Sequence, residues 1–145
     1  MSSEDELPAL EEELRALTRR SRLRTRELAR DVHPKLDPTA YPLVVLLAKE
    51  GAQRMSAIAA ALSLDKSTVS RQVDAVVRIG LAERVADPVD ARAKLVVLTE
   101  QGGVRVSEQL AEQRRRWRAV LGGWDPADIA ELARLLHRLG ETDLL

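Results

Sequence analysis

Two helical patterns follow each other so closely in "RMSAIAAALSLDKSTVSRQVDAVVRIGLAERV", residues 54–85, that only a tight corner can join them. In the first, Ser56 is placed to cap the helix, and Ile58, Ala59 and Leu62 face inward. The alanines at 57, 59, 60 and 61 allow another helix to approach closely. Ser63-Leu64 supplies the turn. Asp65 can accept hydrogen bonds from the free N–H groups of a second helix, in which Val69, Val73, Val76 and Val77 form an apolar stripe at helical spacing. Gly80 is its stop. Two helices joined by about four residues, the second with an apolar back and a polar front, make a helix-turn-helix pattern. Any small helical bundle can produce that pattern, so the residues that follow decide. "LAERV" and "KLVVLT" are β-prone runs separated by "ADPVDARA", which predicts a hairpin directly after the second helix. The expected fold is mainly α with a small β-hairpin wing, a winged helix-turn-helix.

The chain ends add helical arms. Leu7, Leu10, Leu14 and Leu17, spaced 3, 4, 3, form the seam of a helix that packs against another helix. Two apolar heptads are too few for a free coiled coil, so this arm packs on the rest of the chain or on a second copy. His33-Pro34 ends it, because proline disfavours the helical conformation in the residue before it. A short helix then begins near Thr39, with Pro42 in its first turn, and stops at Gly51. Thr99 caps a long helix with Leu110, Trp117 and Leu121 on one face. Asp125-Pro126 opens the last helix, where Ile129, Leu132, Leu136 and Leu139 repeat the 3, 4, 3 seam before Gly140. The expected organisation is one domain over 1–145, with a winged lobe at 39–99 and dimerisation helices at 7–33 and 100–145.

Composition narrows the function classes. At 145 residues, one core is expected. Phe is absent and only two Trp and one Tyr are present, so that core must be aliphatic. With no cysteine, disulfides, thiolate metal sites and cysteine-based redox sensing are excluded. The acidic start "MSSEDELPALEEEL" lacks the apolar core of a secretory signal, and "LVVLLA" is too short to span a bilayer. A cytoplasmic protein without a membrane partner is expected. Formal net charge is zero, so the distribution of charge must identify any nucleic-acid partner. Residues 19–30, "RRSRLRTRELAR", hold six arginines and one glutamate, and "RRRWR" at 114–118 is a second cluster. Both also read as solvated helix faces.

The wing carries a more specific signal. It reads Asp90-Ala91-Arg92, the mostly apolar "AKLVV", Leu98-Thr99, and Gly102 three residues on. Together with "LDKSTVSRQVDAVVRIGLAERV" before it, this resembles the MarR family of bacterial transcription regulators, whose wing signature it matches in full. The resemblance covers most of the chain. It implies an obligate homodimer whose N-terminal helix and last two helices interlock, holding two winged lobes over successive major grooves of double-stranded DNA. The seams at Leu7, Leu10, Leu14, Leu17 and at Ile129, Leu132, Leu136, Leu139 fit this independently, since neither has a partner within a small lobe; intramolecular packing is the alternative. Such a dimer, expected to be a repressor, prefers a pseudo-palindromic operator with half-sites roughly 10 base pairs apart.

Residue roles follow from the resemblance and from helix geometry. Ser67, Thr68 and Arg71 lie at the start and exposed front of the second helix, with Arg71 suited to bidentate reading of guanine. Ser67, Thr68 and Ser70 make phosphate or short base contacts, and Lys66 and Lys94 meet phosphate. Asp74 would repel phosphate, so it should lie back or pair with an arginine. The resemblance places Arg92 in the minor groove, where a narrow A·T tract attracts guanidinium. Asp90 should hold the tip and orient Arg84 or Arg92 through a charge-assisted hydrogen bond. Asp87 receives no role. A small effector, of the phenolic or aromatic carboxylate kind that family members answer, is expected near His33, Tyr41 and Trp117, since the family's pocket is lined by its first, second and fifth helices. The lack of cysteine excludes the peroxide-sensing subgroup.

Other chemistry finds less support. "SLDK" at 63–66 fits a Ser-x-x-Lys nucleophile, but its companion motifs are missing and the segment is explained as a turn. His33 and His137 are the two histidines, read as isolated residues and not as a metal site. No phosphate-cradling loop or catalytic triad is visible, so neither an enzyme nor a cofactor is expected. The alternative of another class is a winged helix used as a protein-interaction or structural module without specific DNA binding.

Overall fold

In the computed structural model, which describes residues 2–144, the chain runs α1 (Ser3–Val32), α2 (Tyr41–Glu50), β1 (Gln53–Arg54), α3 (Met55–Leu62), α4 (Lys66–Arg78), β2 (Ala82–Ala86), β3 (Lys94–Leu98), α5 (Glu100–Leu121) and α6 (Pro126–Gly140). A 3-10 turn, Pro38–Ala40, precedes α2. Two compact units divide within α5, between Gln109 and Leu110.

The first unit holds the core. Leu28, Ala29 and Val32 from the end of α1 meet Leu43, Val44 and Leu47 of α2, Ile58 of α3, and Val69, Val73 and Val76 of α4 as buried residues. Leu81 and Val96 bring in the base of the wing, and Val106 brings in α5. Tyr41 is the one aromatic core residue; its hydroxyl donates to Gln109 Oε1 at 2.7 Å, so neither buried polar group is left unpaired. The aliphatic core expected from composition is what forms.

Local chemistry sets the corner of the helix-turn-helix. Ser63 adopts a left-handed backbone, φ 53°, and the chain reverses so that Leu64 N–H reaches the Ala59 carbonyl at 3.0 Å. Asp65 then caps α4, its Oδ1 accepting Thr68 N–H at 2.7 Å. Gly80, at φ 79°, ends the segment in a conformation that favours glycine.

The wing is a three-stranded antiparallel sheet in the order β1-β3-β2. β2 and β3 pair from Ala82 opposite Leu98 to Ala86 opposite Lys94. The third strand, with Arg54 opposite Leu95, corrects the simple hairpin and also the expected cap. The chain enters α3 straight from β1, so Arg54 and not Ser56 occupies the cap position, without a side-chain capping bond. The start near Thr39 also shifts: Asp37 caps the 3-10 turn through Thr39 N–H at 2.8 Å, and α2 proper begins at Tyr41.

Thr99 joins wing and helix. Its hydroxyl donates to the Gly80 carbonyl at 2.7 Å and accepts Gly102 N–H at 3.0 Å, while its own N–H reaches the Leu81 carbonyl at 3.0 Å. A Cβ on Gly102 would lie 2.0 Å from that Leu81 oxygen, so only glycine permits α5 to start so close to the wing base. The Leu-Thr-x-x-Gly spacing thus has a steric and a hydrogen-bonding cause.

The second unit comprises the rest of α5 and α6. Asp125 caps α6 through Ala127 N–H at 2.9 Å, with Pro126 first in the helix. No α6 residue is buried, and Ile129, Leu132, Leu135 and Leu136 stand exposed. In the first unit Leu7, Leu10 and Leu17 of α1 are also exposed and Leu14 is half-buried. No described helix is long and apolar enough to cross a membrane.

Candidate nucleic-acid interface

The valine stripe turns one side of α4 to the core, and this decides what the other side presents. Lys66, Ser67 and Arg71 are exposed, and Thr68 and Ser70 are half-buried. Asp65 organises the first turn: its Oδ1 accepts both Thr68 N–H and Ser67 Oγ–H, each at 2.7 Å. Those bonds, the Thr68 backbone N–H first, hold its carboxyl at about 2, below the ordinary aspartate value. Arg71 donates one N–H to Thr68 Oγ1 at 3.3 Å, which fixes the guanidinium over the helix start. Gln72 pins the helix to the 3-10 turn by donating to the Thr39 carbonyl at 3.1 Å. Between these elements lies a pocket of about 290 Å³, bordered by Asp37, Thr39, Thr68, Arg71 and Gln72.

A second groove, of about 520 Å³, runs between α4 and the wing, and Lys66, Ser70 and Lys94 line it together with Arg54. The structure therefore brings three sequence-selected polar residues to one cleft. Arg84 is placed differently. It pairs with Asp74 of α4, the arginine partner that Asp74 was expected to need.

The wing tip is built from two aspartate turns. Asp90 Oδ1 accepts Arg92 N–H at 3.0 Å and the Asp90 carbonyl accepts Ala93 N–H at 3.0 Å. Asp90 thus holds the tip through the Arg92 backbone, not through the guanidinium of Arg84 or Arg92 as expected. Asp87, to which the sequence assigned nothing, is 7% exposed. Its Oδ1 accepts Val89 N–H at 2.9 Å and its Oδ2 takes Arg54 Nη2 at 2.6 Å and Nε at 2.8 Å. The Val89 backbone bond and then Arg54 keep its carboxyl below the ordinary range despite burial. The Asp-Pro step hinted at a turn, but nothing local to Arg54 signalled its partner.

The expected effector neighbours are separated in character. His33 is half-buried and its Nδ1 accepts Lys35 N–H at 3.0 Å; desolvation, then Arg105 and Lys35, lower its pKa and keep the ring neutral. Tyr41 belongs to the core. Trp117, in the second unit, is 62% exposed. His137 is exposed beside Glu141 at 3.5 Å. No group of three or more metal-ligating side chains occurs among the described residues.

A capped second helix with a polar, cationic front and a wing carrying an arginine at its tip define a winged helix-turn-helix protein of the DNA-binding class. Residues 36–94 match the model of the MarR family of transcriptional regulators. A Bacillus subtilis HTH-type transcriptional regulator, YxaD, is 28% identical over 107 residues, 74% of this chain and 75% of that one. A MarR family protein from Bacillus stearothermophilus has a structure similar over 97% of both chains, at 25% identity and TM-score 0.76. BpsR of Bordetella bronchiseptica, whose DNA binding is regulated by 6-hydroxynicotinic acid, is similar over 88% of this chain and 93% of its own, at 25% identity and TM-score 0.63.

Proposed function

We propose that the chain is a cytoplasmic, homodimeric repressor that binds a pseudo-palindromic operator and is modulated by a small organic ligand. One observation carries the DNA-binding face: its aspartates are engaged internally while four of its cations are not paired with a carboxylate. Asp65 is held by the α4 start, Asp74 by Arg84, Asp87 by Arg54 and Asp90 by the Arg92 backbone. Among the described residues, Lys66, Arg71, Arg92 and Lys94 have no ion-pair partner. A chain of zero formal net charge can thus present a positive surface to phosphate.

In this reading Arg71 reads a base edge, Ser67, Thr68, Ser70, Lys66 and Lys94 position the lobe on the backbone, and Arg92 enters the minor groove. Arg84 contributes charge only when it leaves Asp74. The exposed leucine rows of α1 and α6 support a dimer, because a second copy would remove them from water. The organisation proposed is a winged lobe at 39–99 carried by dimerisation helices at 7–33 and 100–145. An effector would act by binding one lobe spacing better than another. BpsR supports a small aromatic acid as the ligand class, with His33 and Tyr41 of the first unit as proposed neighbours.

Selection of bound duplexes from random-sequence DNA by the purified protein tests the reading. A pseudo-palindrome with half-sites about 10 base pairs apart is the expected result, with affinity falling steeply as salt rises. No enriched sequence would favour the protein-interaction module instead.

A further inference from the structure

Outside the family signature, the wing tip is fastened to the rest of its lobe through Arg54 and Asp87. Arg54 sits on β1, on the far side of β3 from β2, and is the residue from which α3 starts. Its guanidinium reaches Asp87, 33 residues away, at the end of β2. The Asp87 backbone N–H also donates to the Ala93 carbonyl at 3.2 Å, so this one residue closes the tip and receives the strap. The other turn of the tip is made by Asp90, whose Oδ1 and carbonyl accept the Arg92 and Ala93 N–H groups.

We propose that the Arg54–Asp87 pair positions the wing, setting the attitude of Arg92 relative to α4, and that the contribution of Arg92 to DNA affinity depends on it. The inference rests on the reading that Arg92 meets DNA. A side chain on a loop that must meet one groove while a helix occupies the next is useful only when the loop is held in register with that helix. Arg54 can transmit that register to the tip, because its backbone enters the helix-turn-helix while its fork grips Asp87; the Asp74–Arg84 pair ties α4 to the strand below the tip. Arg54 is here a positioning residue, not a phosphate ligand, since its charge is already engaged by a carboxylate that is nearly buried.

The distinguishing experiment is a double-mutant cycle between Arg54→Met, which keeps the stem and removes the fork, and Arg92→Ala. Affinity is measured at fixed salt on the duplex enriched by the wild-type protein. Arg92→Ala is expected to weaken binding about tenfold alone but less than about twofold in the Arg54→Met background. In the free protein, the Val89 and Arg92 amides of Arg54→Met should exchange with solvent faster than in the wild type, while the Ile58 and Val73 amides keep their protection. Multiplying losses would make Arg54 an independent DNA contact and overturn the strap. So would unchanged exchange at the tip. If Arg92→Ala costs nothing even in the wild-type background, the reading of Arg92 at DNA fails, and the positioning role fails with it. Should Arg54→Met not fold, Asp87→Asn, which keeps an oxygen for Val89 N–H but removes the charge, runs the same cycle with the same two criteria.

Discussion

Asp74 on α4 and Arg84 on β2 form an ion pair that ties the exposed side of the helix to the first wing strand. The two side chains are 53% and 34% exposed, so the pair contributes little stability, about 1 kcal/mol or less. Its larger effect is on charge, because it neutralises an arginine beside the proposed DNA-binding face. Asp74→Ala should therefore raise affinity several-fold for all DNA sequences alike and steepen the salt dependence by about one phosphate contact. Titrations at two or more salt concentrations check this. Weaker binding with a large fall in Tm would mean that the pair is structural.

Acid should loosen α4 through its cap. The Asp65 carboxyl titrates at about 2 in the folded chain, below the ~3.9 of an unfolded aspartate. A lowered pKa in the native state means stability that is fully present above the unfolded value and lost as pH falls through the folded one. The Tm difference between wild type and Asp65→Ala should be several degrees at neutral pH and should close between about pH 4 and pH 2. A difference that stays constant across that window would remove the charged cap from the account.

Two adjacent glycines should respond in opposite directions. Gly102→Ala drives a Cβ to 2.0 Å from the Leu81 carbonyl oxygen, a backbone atom that cannot swing aside, whereas nothing lies within 4 Å of a Cβ on Gly103. Gly102→Ala is expected to cost roughly 3 kcal/mol as overpacking at the junction of wing and α5. Gly103→Ala, in the same helical turn, should stabilise by up to about 1 kcal/mol through helix propensity. Urea unfolding of both variants decides; equal effects would refute the close approach.

Where the chemistry was local, the sequence was readable. The Val69, Val73 and Val76 stripe, the Asp65 cap, the Ser63 corner and the Asp125-Pro126 start each lie within one helical turn of what they control. Asp74 could be assigned a need for an arginine, because a carboxylate on a DNA-facing helix is unfavourable, but not the arginine itself. β1 stayed illegible because two residues carry no period. Arg54 with Asp87, and Tyr41 with Gln109, span 33 and 68 residues, so only tertiary packing joins them. Ser56 misled for a related reason: a good capping residue loses the position when the preceding residues are drawn into a sheet.

The seam of α6 gives the last prediction. Leu132, Leu135 and Leu136 are 44%, 44% and 48% exposed, and a row of this kind on one helix is unfavourable in water. Burying each leucine against a second copy would contribute about 1.5–3 kcal/mol at most. Leu136→Glu places in that seam a carboxylate that must be desolvated for the same contact to form. Sedimentation should then show a dimer for the wild type, as proposed, and a monomer for the variant. The wild-type Tm should rise with protein concentration and that of the variant should not. Operator affinity should fall by at least about a hundredfold, because two linked half-site contacts become one. An unaltered dimer mass for both Leu136→Glu and Leu10→Glu would mean that neither seam holds the assembly.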